Sequence, residues 1–192
     1  MASNPVTKLT EEQYLAIERA AEFKSEFLEG EMFAMSGTSM NHGRLQRNIL
    51  VELDNRLRGK GCEAFPSDLR VRVSSRMYTY PDISVVCGAP ALADEHQDSL
   101  LNPVVIFEVL SPSTETYDRG AKFQHYRTVA SLREYVLVEQ NQVRIECYTR
   151  QPGDTWTLRD YKHLEDELAI DSIGISIPLS RIYDRVEFSP GE

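Results

Sequence analysis

A chain of 192 residues with 41% hydrophobic and 27% charged side chains is expected to form one compact domain over residues 1–192 with short ragged ends, burying roughly 70% of the surface its unfolded form would expose. No apolar run is long enough to span a membrane, and the start lacks a basic-then-apolar secretory pattern, which points away from membrane binding and toward the cytoplasm. The net charge of −9 weighs against nucleic-acid binding in general, because phosphate backbones reward Lys and Arg.

Residues 10–21 place Thr10 before two acids, a helix start with a hydroxyl N-cap. Residues 23–37 alternate apolar and polar side chains on either side of Glu29-Gly30, which predicts a hairpin whose glycine permits positive φ. Leu45, Ile49, Leu53 and Leu57 then recur at every fourth position, so residues 40–58 form an amphipathic helix that stops at Gly59 and Gly61. Residues 41–76 carry eight Lys/Arg against four acids, a locally positive stretch in an acidic chain, compatible with a basic face or with a solvated helix surface.

Residues 62–73 and 77–87 carry strand-like alternation across a turn near Ser74-Ser75, and residues 89–102 are polar and loop-like. The run VVIFEVL, residues 104–110, is almost wholly apolar, as a central strand covered on both faces requires. Ser111-Pro112 breaks it. Helical spacing follows over residues 118–129, then two strands joined at Asn141, and further short strands over 156–161 and around Ile170. The order predicts a mixed α+β or α/β domain, its helices flanking one mixed central sheet. Cys62, Cys87 and Cys147 are odd in number and far apart, and read as reduced thiols packed like small apolar residues.

Three polar residues stand out against this pattern. Tyr80-Pro81-Asp82 opens a strand, and Pro81, with a fixed φ and no N–H, suits that first position; Pro-Asp alone is also ordinary turn chemistry. Glu108 shares its face of VVIFEVL with Ile106 and Leu110, where an ionised carboxylate costs several kcal/mol unless a cation or hydrogen bonds meet it. A buried pair with an Arg, emergence at the strand end and metal ligation all answer that requirement. Two carboxylates on neighbouring strands suit Mg²⁺, with Mn²⁺ an alternative, and the backbone carbonyl of Val109 is a candidate third ligand. Lys122 lies fourteen residues after Glu108, with Asp118 and Tyr126 one turn to either side. It is the candidate base or charge stabiliser beside an attacking water, and a solvated Asp118–Lys122 pair is the plain alternative.

The strings YPDISVVCG, NPVVIFEVLSPSTETYDRGAKFQHYR and LREYVLV resemble the Uma-type family of "putative restriction endonucleases" within the PD-(D/E)XK nuclease superfamily. KSEFLEGEMFAMSGTSMNHGRLQRNIL and SDLRVRV extend the resemblance over most of the chain. It implies a restriction-endonuclease-like fold and divalent-metal hydrolysis of phosphodiesters, with Asp82 and Glu108 as the two motif acids. Two places after Glu108 stands Leu110 where the motif has lysine, so the likeness is to members whose lysine has moved to the next helix, here Lys122. His42 at the start of the long helix, Asp68 at a strand opening and Tyr126 are accessory candidates, each with a plain reading as core histidine, turn residue and packing aromatic. No organic cofactor is implied. DNA is the expected partner, RNA stays open, and a homodimer would place one site on each strand of a duplex. The alternative function is an inactive nuclease-fold module that binds nucleic acid or protein.

Overall fold

The structure, a computed structural model, describes residues 8–35 and 37–188, and the expected ragged ends lie outside these. Helix α1 (Glu11–Ala20) begins in a capping box: Thr10 Oγ1 accepts from the Gln13 amide, and the Gln13 side chain accepts from the Thr10 amide. Strands β1 (Ser25–Leu28) and β2 (Glu31–Ala34) form the expected hairpin, and both turn residues, Glu29 (φ 53°) and Gly30 (φ 91°), take positive φ. Helix α2 (Met40–Leu57) is capped by Ser39, and its Leu45, Ile49, Leu53 and Leu57 stripe is wholly buried.

The strands that follow are β3 (Cys62–Pro66), β4 (Arg70–Ser74), β5 (Met77–Thr79), β6 (Ile83–Cys87), the short β7 (Ser99–Leu100), and β8 (Val105–Leu110). After β8 come α3 (Glu115–Tyr117), a π-helical turn (Asp118–Lys122) and α4 (Phe123–Tyr126). Then follow β9 (Glu134–Glu139), β10 (Ile145–Arg150), β11 (Trp156–Tyr161), β12 (Glu167–Ile170), β13 (Ile175–Pro178) and α5 (Leu179–Ile182). The helix after β8 therefore starts earlier than its spacing predicts and carries a π-turn that sequence periodicity does not mark.

The fold is mixed α+β, with a six-stranded mixed sheet, β11-β10-β9-β8-β6-β3, at its centre. A second sheet, β2-β1-β5-β4-β7, and a β12–β13 ribbon complete it. The run from Met77 to Cys87, which reads as one alternation, contributes β5 to one sheet and β6 to the other. Pro81 has no N–H with which to continue a ladder, so the chain changes sheets there. Strand β8 is buried along its whole length, as its apolar sequence requires. Val105, Phe107 and Val109 face the α2 stripe, while Ile106 and Leu110 pack with Tyr126 and Tyr135 on the opposite side.

Two of the three cysteines depart from expectation. Cys62 and Cys87 oppose each other in the β3–β6 register and form a disulfide, whereas Cys147 is free and buried. Direct antiparallel opposition brings two Cβ atoms within bridging distance across 25 residues of sequence. The chain between them narrows the unfolded ensemble when closed, so Cys62→Ser is expected to cost about 3 kcal/mol. Urea unfolding of wild type and variant measures this; an unchanged midpoint would show that strand pairing alone holds β3.

Candidate active site

Strand register brings the two acids together. β6 and β8 are antiparallel with Ile83 opposite Phe107, and one further step sets Asp82 opposite Glu108. Opposed residues of an antiparallel pair project to the same face. Asp82 is fixed on both oxygens: Oδ2 accepts from the Val109 amide at 2.7 Å, and Oδ1 lies 2.8 Å from Nε2 of His42. Gln46 Nε2 also donates to the Asp82 carbonyl at 2.9 Å, so the first turns of α2 hold this corner of the sheet crossing.

Glu108 meets a cation in the way its apolar surroundings demand. Lys122 Nζ lies 2.8 Å from Glu108 Oε1, 3.2 Å from Glu26 Oε1 and 3.5 Å from Asp118 Oδ1. Tyr126 donates its hydroxyl hydrogen to Glu108 Oε1 at 3.1 Å. Having one hydrogen to give, it then accepts from Thr79 Oγ1 at 2.8 Å. The tyrosine is fully buried and holds Glu108 in place.

Burial pushes the Glu108 carboxyl well above its ordinary value; Lys122 opposes the shift, while Asp118, Asp82 and Glu26 add to it. Burial also raises Asp118. For Lys122 burial works toward deprotonation, but Glu108, Glu26 and Asp118 outweigh it and hold the ammonium well above its usual range. Both shifts favour the protonated forms of Lys122 and Glu108.

These groups line a cavity of about 750 Å³. Glu26, Glu108 and Asp118 face a single ammonium there, and Asp82, paired with His42, lines the same cavity. A low-polarity enclosure with that excess of acid has a deficit of positive charge. Among the described residues no three His, Cys, Asp or Glu side chains form a ready cation cage. Carboxylate oxygens are hard donors, which suit hard cations in general.

Asp82, Glu108, Lys122, Val109 and His42 thus gather around one cavity. His42 is buried, and its ring bonds to Asp82 at the cavity wall. Asp68 lies elsewhere, in the turn after β3, with its side chain 85% exposed and paired to Lys24 Nζ at 2.9 Å. Glu26 has no counterpart in the sequence reading. The alternation of β1 marked it only as the hairpin's other face, and nothing in linear spacing ties it to Lys122, 96 residues away.

A family model described as "Putative restriction endonuclease", Uma2, matches residues 11–180. An uncharacterized protein of Synechocystis sp. is 36% identical over 188 residues, 97% of each chain. A second uncharacterized protein of that organism is 38% identical over 153 residues, 79% of this chain and 86% of the relative. Among solved structures, "a putative nuclease belonging to DUF820" from Anabaena variabilis superposes with a TM-score of 0.74 at 17% identity. That match covers 91% of this chain and 97% of the other, and it establishes the fold as restriction-endonuclease-like. On the match over residues 11–180 and the near full-length relative, this chain belongs to the Uma2 family.

Proposed function

We propose that the protein is a divalent-metal-dependent endonuclease hydrolysing DNA phosphodiester bonds, with Asp82 and Glu108 holding Mg²⁺ and Lys122 assisting the attacking water. The observation that carries this reading is the ammonium of Lys122 set among Glu108, Glu26 and Asp118, with Asp82 on the wall of the same cavity. A bound divalent ion supplies charge neutralisation at phosphate and lowers the pKa of water. Asp82 and Glu108 offer the oxygens for it, joined in this proposal by the Val109 carbonyl, while His42 and Tyr126 hold the two side chains in register. Lys122, kept protonated by its acids, acts as a hydrogen-bond donor and positive charge rather than as a base. In the reaction a water oxygen bonds to phosphorus, the bond from phosphorus to the leaving strand breaks, and a proton passes to the departing oxygen.

The test uses supercoiled plasmid with Mg²⁺ or Mn²⁺. Wild type is expected to nick it, and Asp82→Ala and Glu108→Ala each to lose roughly a hundredfold or more in rate. Equal nicking by wild type and both variants would remove the idea.

A second reading, a nuclease-fold module that binds without cleaving, is favoured by the net charge of −9. Calorimetric titration with Mg²⁺ separates the two, since an intact acid pair gives a saturable signal that Glu108→Gln abolishes. No helix among the described residues is long and apolar enough to cross a membrane. A cytoplasmic location stays part of this proposal, and the reducing poise there works against the Cys62–Cys87 bond. A homodimer is required by this reading only if both strands of a duplex are cut.

A further inference from the structure

The lip of the cavity differs in character from its acidic floor. Glu26 on β1 is paired in register with Phe33 on β2. Side chains directly opposite across an antiparallel ribbon project to the same face with Cβ atoms about 4.5–5.5 Å apart. Since Glu26 reaches Lys122, the Phe33 ring stands beside the charged cluster. Leu28, two residues on from Glu26, and Met35, two on from Phe33, line the same cavity. Phe33 is 50% exposed and Met35 36% exposed, so an apolar, partly aromatic shelf is left open next to the acids.

The charge around this shelf is equally informative. Among the described residues lining the cavity, the basic side chains are His42 and Lys122, and Lys122 is buried in its acid nest. Most of the locally positive stretch is neutralised by acids of this chain, Arg47 and Lys60 being exposed without an acid partner among the described residues. Arg44, Arg56, Arg58, Arg70, Arg72 and Arg76 each bridge to an acid of this chain. Duplex DNA is held chiefly by cations on its phosphates, whereas an unpaired strand gains its affinity from bases stacked on aromatic rings. The cavity's volume of about 750 Å³ belongs with pockets for small ligands, about 300–1,000 Å³, and has room for a nucleotide but not for a duplex.

We propose that the cavity takes an unpaired DNA strand, one base lying against Phe33 while the adjoining phosphodiester reaches Asp82 and Glu108. The proposal rests on the hydrolytic reading above and names its substrate. DNA is carried over from the hydrolytic reading, and RNA is an outcome of the test.

The test measures binding of fluorescein-labelled oligo(dT), the same strand in duplex form, and oligo(rU) by anisotropy with Ca²⁺ in place of Mg²⁺. Cleavage of the DNA substrates with Mg²⁺ is followed in parallel. Oligo(dT) is expected to bind most tightly. Phe33→Ala is expected to weaken it about tenfold and Phe33→Trp to preserve it, with duplex binding little changed. Phe33 sits half-exposed on an edge strand, so both variants are expected to fold, and circular dichroism checks this. Duplex bound as tightly as oligo(dT), or no loss on Phe33→Ala, overturns the proposal while leaving the nuclease reading intact if cleavage is seen. Phe33-dependent binding without cleavage supports the stacking shelf and overturns the hydrolytic reading. Oligo(rU) bound as well as oligo(dT) overturns the choice of DNA.

Discussion

Replacing Lys122 with methionine is expected to lower the melting temperature by roughly 10 °C, and millimolar Mg²⁺ to restore a large part of the loss. Methionine keeps the aliphatic length of the side chain and removes only the ammonium, so packing along the stem survives. What remains is Glu108, Glu26 and Asp118 facing one another in a site where Lys122 is 5% and Glu108 4% exposed. Removing one partner of a buried ion pair costs about 3–5 kcal/mol, because the charge left behind is unpaired. Protonation of Glu108, already favoured by burial, limits the loss. A divalent ion at the same carboxylates supplies the missing charge, and at a hundred times its Kd it contributes about 2.7 kcal/mol. Differential scanning calorimetry of wild type and Lys122→Met, with and without Mg²⁺, reads both effects. A variant that melts with wild type, or one indifferent to Mg²⁺, would show that the carboxylates do not form a charge-deficient cluster.

The second large effect is in pH dependence. Glu108 binds its proton more tightly folded than unfolded, because burial raises its pKa. Below the unfolded carboxyl value both states hold the proton, and its contribution to stability is fully present. As pH rises toward the folded value, the unfolded chain releases the proton first and stability falls; above the folded value the loss is complete. A metal requires the ionised carboxylate, so Mg²⁺ affinity moves the other way, rising about tenfold per pH unit until Glu108 is deprotonated and then levelling off. Glu108→Gln is expected to flatten the stability profile in that window and to abolish Mg²⁺ binding. Calorimetric titration from the ordinary carboxyl range upward decides it, and a wild-type affinity independent of pH would contradict a raised Glu108.

The parts of this molecule that the sequence revealed are those whose causes are local. Thr10 and Gln13 sit three residues apart and close a capping box; the Leu45–Leu57 stripe follows helical period; VVIFEVL is apolar on both faces and lies buried in the central sheet. Glu108 could be singled out because one acid in such a strand needs a cation wherever the strand packs. Asp82 and Lys122 followed from strand-start chemistry, helical spacing and family resemblance.

Pairing between distant strands decided the rest. Glu26 joins the acid cluster because β1 pairs with β5, whose chain runs through Tyr80 and Pro81 to Asp82. Cys62 meets Cys87 because β3 and β6 are antiparallel in one particular register. Tyr126 turns its hydroxyl to Glu108, and His42 its ring to Asp82, because helices on opposite sides of the sheet converge on one cavity. Side-chain periodicity records which face a residue takes within its own element, so the sequence by itself determined the elements and the acid that had to be neutralised. It holds no record of which face of another element will lie opposite, and only the tertiary structure, where burial and register select one arrangement, decided what neutralises that acid and what lies beside it.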